Sequence, residues 1–540
     1  MVQPEHLLPF KDSGQVLVIG AGPVGLTLAS ELVRHGVRCR IIDKAPAPAS
    51  TSRALGIFPR TLEAFQIMGI VDQVLEAGYP LAGVAIYNQT EQIGHIGFDA
   101  LPSRYRFVIS LPQSETERLL NAHLRSFGTA VDRDRRLVGL SQTPGMVRAV
   151  IRDSAGTEEI SEVDWLVGCD GVHSSVRQLA GFTFEGGTYD ETFVLADVKF
   201  SGGLDPVHLH MFLTDSGVVG IIPFGKGRCR VIANTLRESE GGLVGDPSLA
   251  EIQEIVQRRT NLDIGLTDPV WLSRFRIAHR KVPKFRIDRI FLAGDSAHVH
   301  SPAGGQGMNT GIQDAFNLGW KLGLVCHRKC SDSLLDSYNE EREPVAKMVL
   351  TLTDRLTRIM TSSKPLERQL LSGLLPMLTG IHSVEDRIAD TMAEIGIHYR
   401  RSSIVTDKSG RALRAGDRAP DCEFLTDSGQ QPVRLYELLH DPVHLLLLFA
   451  APDSPRSLSE SCMQIGREFE HVLKAFVVSP SNVSDFPLAL FDSGGFARTL
   501  YDAEPGAIVL IRPDGYIGFR DRAEHWDELR SYLTEFFSCR

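Results

Sequence analysis

Six residues near the start of the chain, Gly20-Ala21-Gly22-Pro23-Val24-Gly25, have the composition and spacing of a phosphate-binding turn. They follow Gln15–Ile19 (QVLVI), an aliphatic run that reads as a buried strand. They precede Leu26–His35, which reads as a helix ending near Gly36. Gly20 permits a tight turn, Gly22 lets the backbone approach a pyrophosphate, and Gly25 lets the helix pack closely on the strand. The helix start offers unpaired N–H groups and partial positive charge to phosphate oxygens. Pro23 suits the first helical turn, where its missing N–H costs nothing. A second strand, Val37–Ile42, ends at Asp43, 18 residues after Gly25, with Lys44 next to it. A carboxylate there can accept hydrogen bonds from ribose hydroxyls. Strand, turn, helix, strand and acid in this order predict dinucleotide binding, without choosing between NAD and FAD.

Two later segments narrow the choice. Trp165-Leu166-Val167-Gly168-Cys169-Asp170-Gly171-Val172-His173-Ser174-Ser175-Val176-Arg177 reads as a strand, a turn and a short basic helix. Ile290-Phe291-Leu292-Ala293-Gly294-Asp295-Ser296-Ala297-His298 is again a strand ending in Gly-Asp. It continues as Ser301-Pro302-Ala303-Gly304-Gly305-Gln306-Gly307-Met308-Asn309 and then a helix from about Thr310 to Cys326. In order and spacing, the three motifs resemble those of class A flavin-dependent aromatic hydroxylases. That family includes phenol and chlorophenol monooxygenases, hydroxyphenylpropionate hydroxylases and aromatic polyketide hydroxylases.

The resemblance implies FAD as cofactor and NAD(P)H as co-substrate. It implies that Gly20, Gly22, Pro23, Val24, Gly25, Asp43 and Lys44 surround the adenosine and pyrophosphate end. It implies that Arg53 contacts the pyrophosphate region, Gln113 the ribityl or ring, and Asp295 the ribityl chain. Asp170 and Arg177 match the segment that the family uses toward both FAD and the pyridine nucleotide. Gly307, Met308 and Asn309 would turn backbone N–H groups toward the flavin pyrimidine edge, with Pro302 beside the oxygen-reaction site. Physical chemistry supports the pyrimidine assignment, because reduced flavin is negative near N1 and O2 and a helix N-terminus stabilises an anion. The glycines at 304, 305 and 307 let backbone lie against a flat ring.

The chemistry implied is hydroxylation of a phenolic or polyketide aromatic substrate with O2, through a flavin C4a-hydroperoxide. The pocket must exclude water, or peroxide is released instead. A base or polar relay should deprotonate the phenol, and the residues do not name it. His208 and His210 share one face of a strand by the period of two, and that face could look toward the flavin or toward solvent. Pro302 is the better positional candidate but is neither acid nor base. His298 and His300 flank the flavin loop, and a buried histidine bonded to backbone is the commoner use of such a residue. The same motifs allow epoxidation or Baeyer–Villiger insertion, and a non-catalytic flavin-binding redox sensor is the reading from another class.

The positioning elements follow from the rest of the 540 residues. The expected fold is α/β: a doubly wound FAD-binding fold with an inserted β-rich substrate domain and a C-terminal thioredoxin-like domain. The FAD-binding domain is expected over 14–185 and 285–360, with 81–110 contributing to the substrate sheet. The substrate domain is expected over 186–284, a helical linker over 361–413 and the thioredoxin-like domain over 414–540. That last domain rests on strands at His444–Ala450, Ala475–Ser479, Ala507–Arg512 and Tyr516–Arg520, with a helix over Trp526–Phe537. Cys462 stands there without a CxxC, which disfavours a disulfide redox role. Glu340-Glu341-Arg342 reads as a solvated charged face, and part of the helical region could support a homodimer. The spacing of Cys326 and Cys330, with no second pair nearby, disfavours a metal site. A net charge of −10 disfavours nucleic acid and anionic membrane as partners. The polar start and the absence of a long apolar run point to the cytoplasm.

Overall fold

In a computed structural model of the chain, the described residues are 15–51, 54–235, 245–301, 304–361, 382–426, 432–480 and 488–537. Arg53, Pro302 and much of the expected 361–413 linker lie outside them.

The aliphatic strand Gln15–Ile19 lies at the centre of a six-stranded sheet. It pairs in parallel with Arg38–Ile42 on one side and Trp165–Gly168 on the other. Ile290–Leu292 lies parallel beyond Trp165–Gly168, and Val131–Asp132 beyond Arg38–Ile42. The chain therefore moves outward from its first strand in both directions. This creates a crevice at the carboxyl ends of the strands, where doubly wound sheets bind ligands. Two helices pack against each other beside this sheet, Pro23–Arg34 and Gly307–Cys326. Their approach is close enough that a Cβ on Gly319 would come within 2.7 Å of Glu31 Cβ. The second helix, called the cofactor helix below, starts at Gly307 rather than near Thr310. The glycines before it disguise the start, because glycine is a poor helix former.

The eight-stranded second sheet runs His298–Val299, Gly265–Lys281, Glu185–Ser201, Arg228–Thr235, Gly217–Pro223, His208–Thr214, Gly83–Asn88 and Glu91–Gly97. One face is dry: Val194, Ala196, Val198, Phe212, Val219, Ile221 and Val231 pack on the helix Leu249–Thr260. Strand periodicity sends Leu209, Met211, Leu213, Ile222 and Ile232 to the other face, where all five are half-buried.

The C-terminal sheet is mixed, with His444–Phe449 parallel to Leu473–Ser479 and antiparallel to Ala507–Ile511. Ile517–Arg522 completes a hairpin with Ala507–Ile511, and Trp526–Phe537 forms the last helix. Leu446 and Val509 on its strands belong to the same apolar core as Val16 and Leu166 of the first sheet. No described helix is long and apolar enough to cross a membrane.

Candidate active site

The three motifs converge at the crevice of the first sheet. Gly20 has φ 103, a left-handed conformation that glycine adopts without strain, and a Cβ there would lie 2.4 Å from the Cys169 carbonyl oxygen. The first turn and the Gly168–Asp170 strand end are thus in direct backbone contact. Val24 packs between Gly294 and Gly311, within 2.7–2.8 Å of where a Cβ on either would lie. Arg177 donates to the Ser296 carbonyl (3.0 Å) and the Val172 carbonyl (2.6 Å), and its guanidinium stacks 3.8 Å from the Phe184 ring centre. Ser296 Oγ donates to the Gly168 carbonyl.

A Cβ on Gly22 would meet nothing within 4 Å, so this turn faces open space, as close approach of a pyrophosphate requires. Pro23 is buried at the helix start. Asp43 Oδ2 accepts the Ala21 N–H (2.7 Å), and Oδ1 accepts the Ala45 N–H (2.8 Å). The carboxylate holds the glycine turn in place, with lone pairs remaining for a ribose hydroxyl. Lys44 is exposed beside it, and Asp295 is exposed at the crevice. Thr310 closes the first internal bond of the cofactor helix, to the Gln306 carbonyl (2.9 Å). The N–H groups of Gly307, Met308 and Asn309 precede that bond, where a helix has no internal acceptors. An open glycine turn, an exposed carboxylate and a run of helix-start donors along one crevice fit FAD.

Three of the predicted residues have side chains engaged within the protein. The Asn309 side chain is spent on protein: its Oδ1 accepts the Phe58 N–H (2.9 Å) and its Nδ2 donates to the Gly56 carbonyl (2.9 Å). Only its backbone remains available. The Asp170 carboxylate caps its own short helix, accepting Ser174 Oγ–H (2.5 Å) and the Ser175 N–H (2.6 Å). Burial raises its pKa despite these bonds. Gln113 Nε2 donates to Glu117 Oε1 (2.8 Å) along its own helix, and the Gln113 N–H donates to the Ala54 carbonyl (3.2 Å).

His208 and His210 share a strand face, the one that also carries Phe212. His210 Nε2 bonds the Asp205 carbonyl (2.6 Å), and His208 bonds Asp205 Oδ2 (2.7 Å) and His95 Nε2 (3.3 Å). Phe212, two residues on, packs in the core under Leu249–Thr260. Leu209, Met211 and Leu213 point the other way, into the cluster with Phe58, and the Phe58 ring is 3.5 Å from where a Cβ on Gly305 of the flavin loop would lie. His208→Ala and His210→Ala are therefore expected to keep substrate hydroxylation near the unmodified rate. A stopped-flow loss of more than about tenfold, or 1.4 kcal/mol, would return them to the site.

The residues that sequence reasoning missed lie behind the flavin loop. His298 Nε2 bonds a carboxylate, Asp314 Oδ2 (2.7 Å), rather than backbone. The same oxygen accepts the Gly294 N–H (3.0 Å), and Asp314 Oδ1 accepts Arg342 Nε (2.6 Å). Arg342 also donates to Tyr399 Oη (2.8 Å) and the Thr310 carbonyl (3.0 Å). Burial pushes the Asp314 carboxyl up, but Arg342 and His298 outweigh it and hold it below the usual range. Burial pushes His300, stacked on His298, down to about 4, so it is neutral at working pH. The available signal was the row of polar residues Thr310, Gln313, Asp314, Asn317 and Lys321 inside a largely apolar helix.

The doubly wound sheet, its crevice and the second, mostly antiparallel sheet are the fold of a dinucleotide-binding flavoprotein. The FAD binding domain family matches residues 13–353, and the family of aromatic-ring hydroxylase C-terminal domains matches 413–539. The chain belongs to the FAD-dependent aromatic-ring monooxygenases, enzymes that use NAD(P)H. It is 35% identical to the 6-methylpretetramide 4-monooxygenase of Streptomyces rimosus over 527 residues, 94% of this chain and 91% of that one. It is 32% identical to the pentachlorophenol 4-monooxygenase of Sphingobium chlorophenolicum over 530 residues, 95% of each chain. Among solved structures, the OxyS anhydrotetracycline hydroxylase of Streptomyces rimosus aligns with TM-score 0.79 and 27% identity, covering 97% of this chain and 99% of that one. The aromatic hydroxylase CabE from angucycline biosynthesis aligns with TM-score 0.78 and 29% identity, covering 98% and 100%.

Proposed function

We propose that the chain hydroxylates a fused, multi-ring phenolic substrate of polyketide type, held between the half-buried sheet face and the flavin loop. The observation that carries this reading is the width of the apolar face. Leu209, Met211 and Leu213, then Ile222, then Ile232 lie on three neighbouring strands. Three strands at about 4.8 Å spacing make a strip roughly 10 Å across, broader than one phenol ring. The tetracycline- and angucycline-type names of the similar proteins agree with it.

In this reading Gly20, Gly22, Pro23, Val24, Gly25, Asp43 and Lys44 hold the adenosine and pyrophosphate end of FAD. Asp295 holds the ribityl chain, and the N–H groups of Gly307, Met308 and Asn309 hold the pyrimidine edge. Bound FAD supplies the electron transfer and oxygen chemistry. The protein's part is to orient the ring, exclude water and keep the loop rigid through the His298–Asp314–Arg342 chain. Asp295→Ala should weaken FAD binding about 10- to 100-fold, since hydrogen bonds to charged groups contribute roughly 1.5–3 kcal/mol. Fluorescence titration of the apoprotein measures it.

The test of the substrate class is a panel of single-ring and tetracyclic phenols, following NAD(P)H consumption and peroxide release together. Multi-ring phenols should couple consumption to product. Single-ring phenols should fill the pocket poorly and release peroxide. Coupled turnover confined to single-ring phenols would overturn the multi-ring assignment.

A further inference from the structure

One buried acid has no place in the chemistry so far. Glu394 follows the helix His382–Met392 in a left-handed conformation (φ 58), which a residue with a Cβ rarely adopts. The turn is held from both sides: Gln306 Nε2 donates to the Thr391 carbonyl (3.1 Å), and the Arg60 N–H donates to the Ala393 carbonyl (3.3 Å). This places the carboxylate, only 2% exposed, against the cofactor helix. Thr310 Oγ1 donates to its Oε1 (2.8 Å), and Gln313 Nε2 donates to its Oε2.

Both of those donors are neutral. The charged groups that face Glu394 are Arg342, from the helix Asp336–Thr361, and Asp314, from the cofactor helix. Arg342 is already bonded to Asp314, so its charge is largely compensated there. From the helix Pro59–Met68 the Arg60 guanidinium is directed to Glu63 instead. Burial, the largest influence, raises the Glu394 carboxyl to about 7. Thr310 lies one to three residues beyond Gly307–Asn309, about 1.5–4.5 Å further along the helix axis.

We propose that Glu394 takes up a proton from solvent when flavin at the head of this helix becomes an anion, and releases it on reoxidation. The proposal rests on the assignment of the Gly307–Asn309 N–H groups to the flavin. A hydride from NAD(P)H brings two electrons and one proton and leaves the reduced flavin with one added negative charge. One solvent proton converts the Glu394 carboxylate to the acid, so the charge of the pocket returns to its starting value. The sign follows from like-charge repulsion: a new anion near a carboxylate raises its affinity for a proton. A water-sized cavity lies beside Gln313, the residue that donates to Glu394. Gln313 Oε1 and the Tyr516 hydroxyl have no partner among the described residues, and both line a cavity of ≈ 10 Å³ with Tyr399 and Asn317. A polar cavity of about 10–15 Å³ has room for one water.

The experiment is a redox titration of the FAD-bound protein from about pH 6 to about pH 9, counting protons taken up per electron pair. Above the oxidised-state pKa of Glu394 the unmodified protein should take up two, and Glu394→Gln one throughout. A reduced-minus-oxidised infrared spectrum of the unmodified protein at about pH 8 should gain a protonated-carboxyl band, and this stands even where the variant folds poorly. One proton per pair at every pH, with no such band, overturns the proposal. Met308→Pro separates the two readings, because proline deletes one first-turn N–H without breaking the helix. If FAD affinity is unchanged by it, the flavin assignment itself fails. If affinity drops while the proton count stays at one, only the role of Glu394 fails.

Discussion

Gly25→Ala is expected to give protein that neither retains FAD nor reaches the parent's melting temperature. The added methyl would lie 1.9 Å from the Gly20 carbonyl oxygen and 3.3 Å from Cys169 Cβ. Neither neighbour can yield cheaply. The Gly20 carbonyl belongs to the turn itself, and Cys169 is anchored by its N–H on the Ile19 carbonyl (2.7 Å). Relief requires the helix Pro23–Arg34 to lift from the strand, which also lifts it from the cofactor helix packed against it. The cost should reach or exceed the roughly 3 kcal/mol upper range of ordinary overpacking. Gly22→Ala is the matched control, because its methyl meets only open space. It should fold normally and lose FAD affinity alone. Thermal melts and flavin absorbance on the pair decide the matter. Retention of FAD by Gly25→Ala at the parent's melting temperature would show that helix and strand do not pack as described.

The second large effect is expected at Arg512→Met. Arg512 is fully buried and donates to both oxygens of Glu341 (2.7 and 2.9 Å) and to Asp514 (2.5 Å). Lys321 Nζ reaches Glu341 Oε2 (2.8 Å), and Asn317 donates to the same oxygen (2.6 Å). Trp320 Nε1 donates to Asp514 (3.1 Å). Asn317, Trp320 and Lys321 all lie on the cofactor helix, so this C-terminal turn clamps the element that presents the flavin donors. Removing one partner of a buried ion pair strands the other charge and costs about 3–5 kcal/mol. An exposed pair such as Arg118–Glu115 is worth roughly 0–1 kcal/mol, and Arg118→Ala should leave the urea midpoint in place. Glu341→Gln combined with Arg512→Met should recover part of the loss, because Glu341 is then neutral and only Asp514 and Lys321 keep their buried charges.

The pH dependence of the clamp has a definite sign. Burial pushes the Glu341 carboxyl up, but Arg512 and Lys321 outweigh burial and hold it well below the usual carboxylate range. A depressed folded pKa contributes stability that is present above the unfolded value and is lost as pH falls below it. The unmodified protein should therefore lose midpoint steeply below about pH 4.5, and Arg512→Met should show a shallower loss. Equal slopes would remove Glu341 as the source.

Glu341 and Arg342 also mark what periodicity cannot read. Glu340-Glu341-Arg342 has the pattern of a solvated helix face, yet Glu341 is 2% and Arg342 0% exposed. The reason is partner distance in sequence: Arg512 lies 171 residues away from Glu341. No local pattern reports a charge that arrives from a different sheet. The strand histidines show the same limit. The period of two puts His208 and His210 together, but only the covering helix Leu249–Thr260 decides that this face is turned from the flavin loop.

The order of the residues alone determined the glycine turn, its strand and helix, the acid after the second strand, and the two further motifs that together specify a flavin site. These are short-range matters of backbone freedom, periodicity and capping, which neighbours in the chain settle. The tertiary structure alone decided which side chains are consumed by the protein itself, as with Asn309 and Asp170. It also brought Asp314, Arg342, Glu394 and Arg512 around one helix, because burial and charge pairing depend on what folds against a residue rather than on what precedes it.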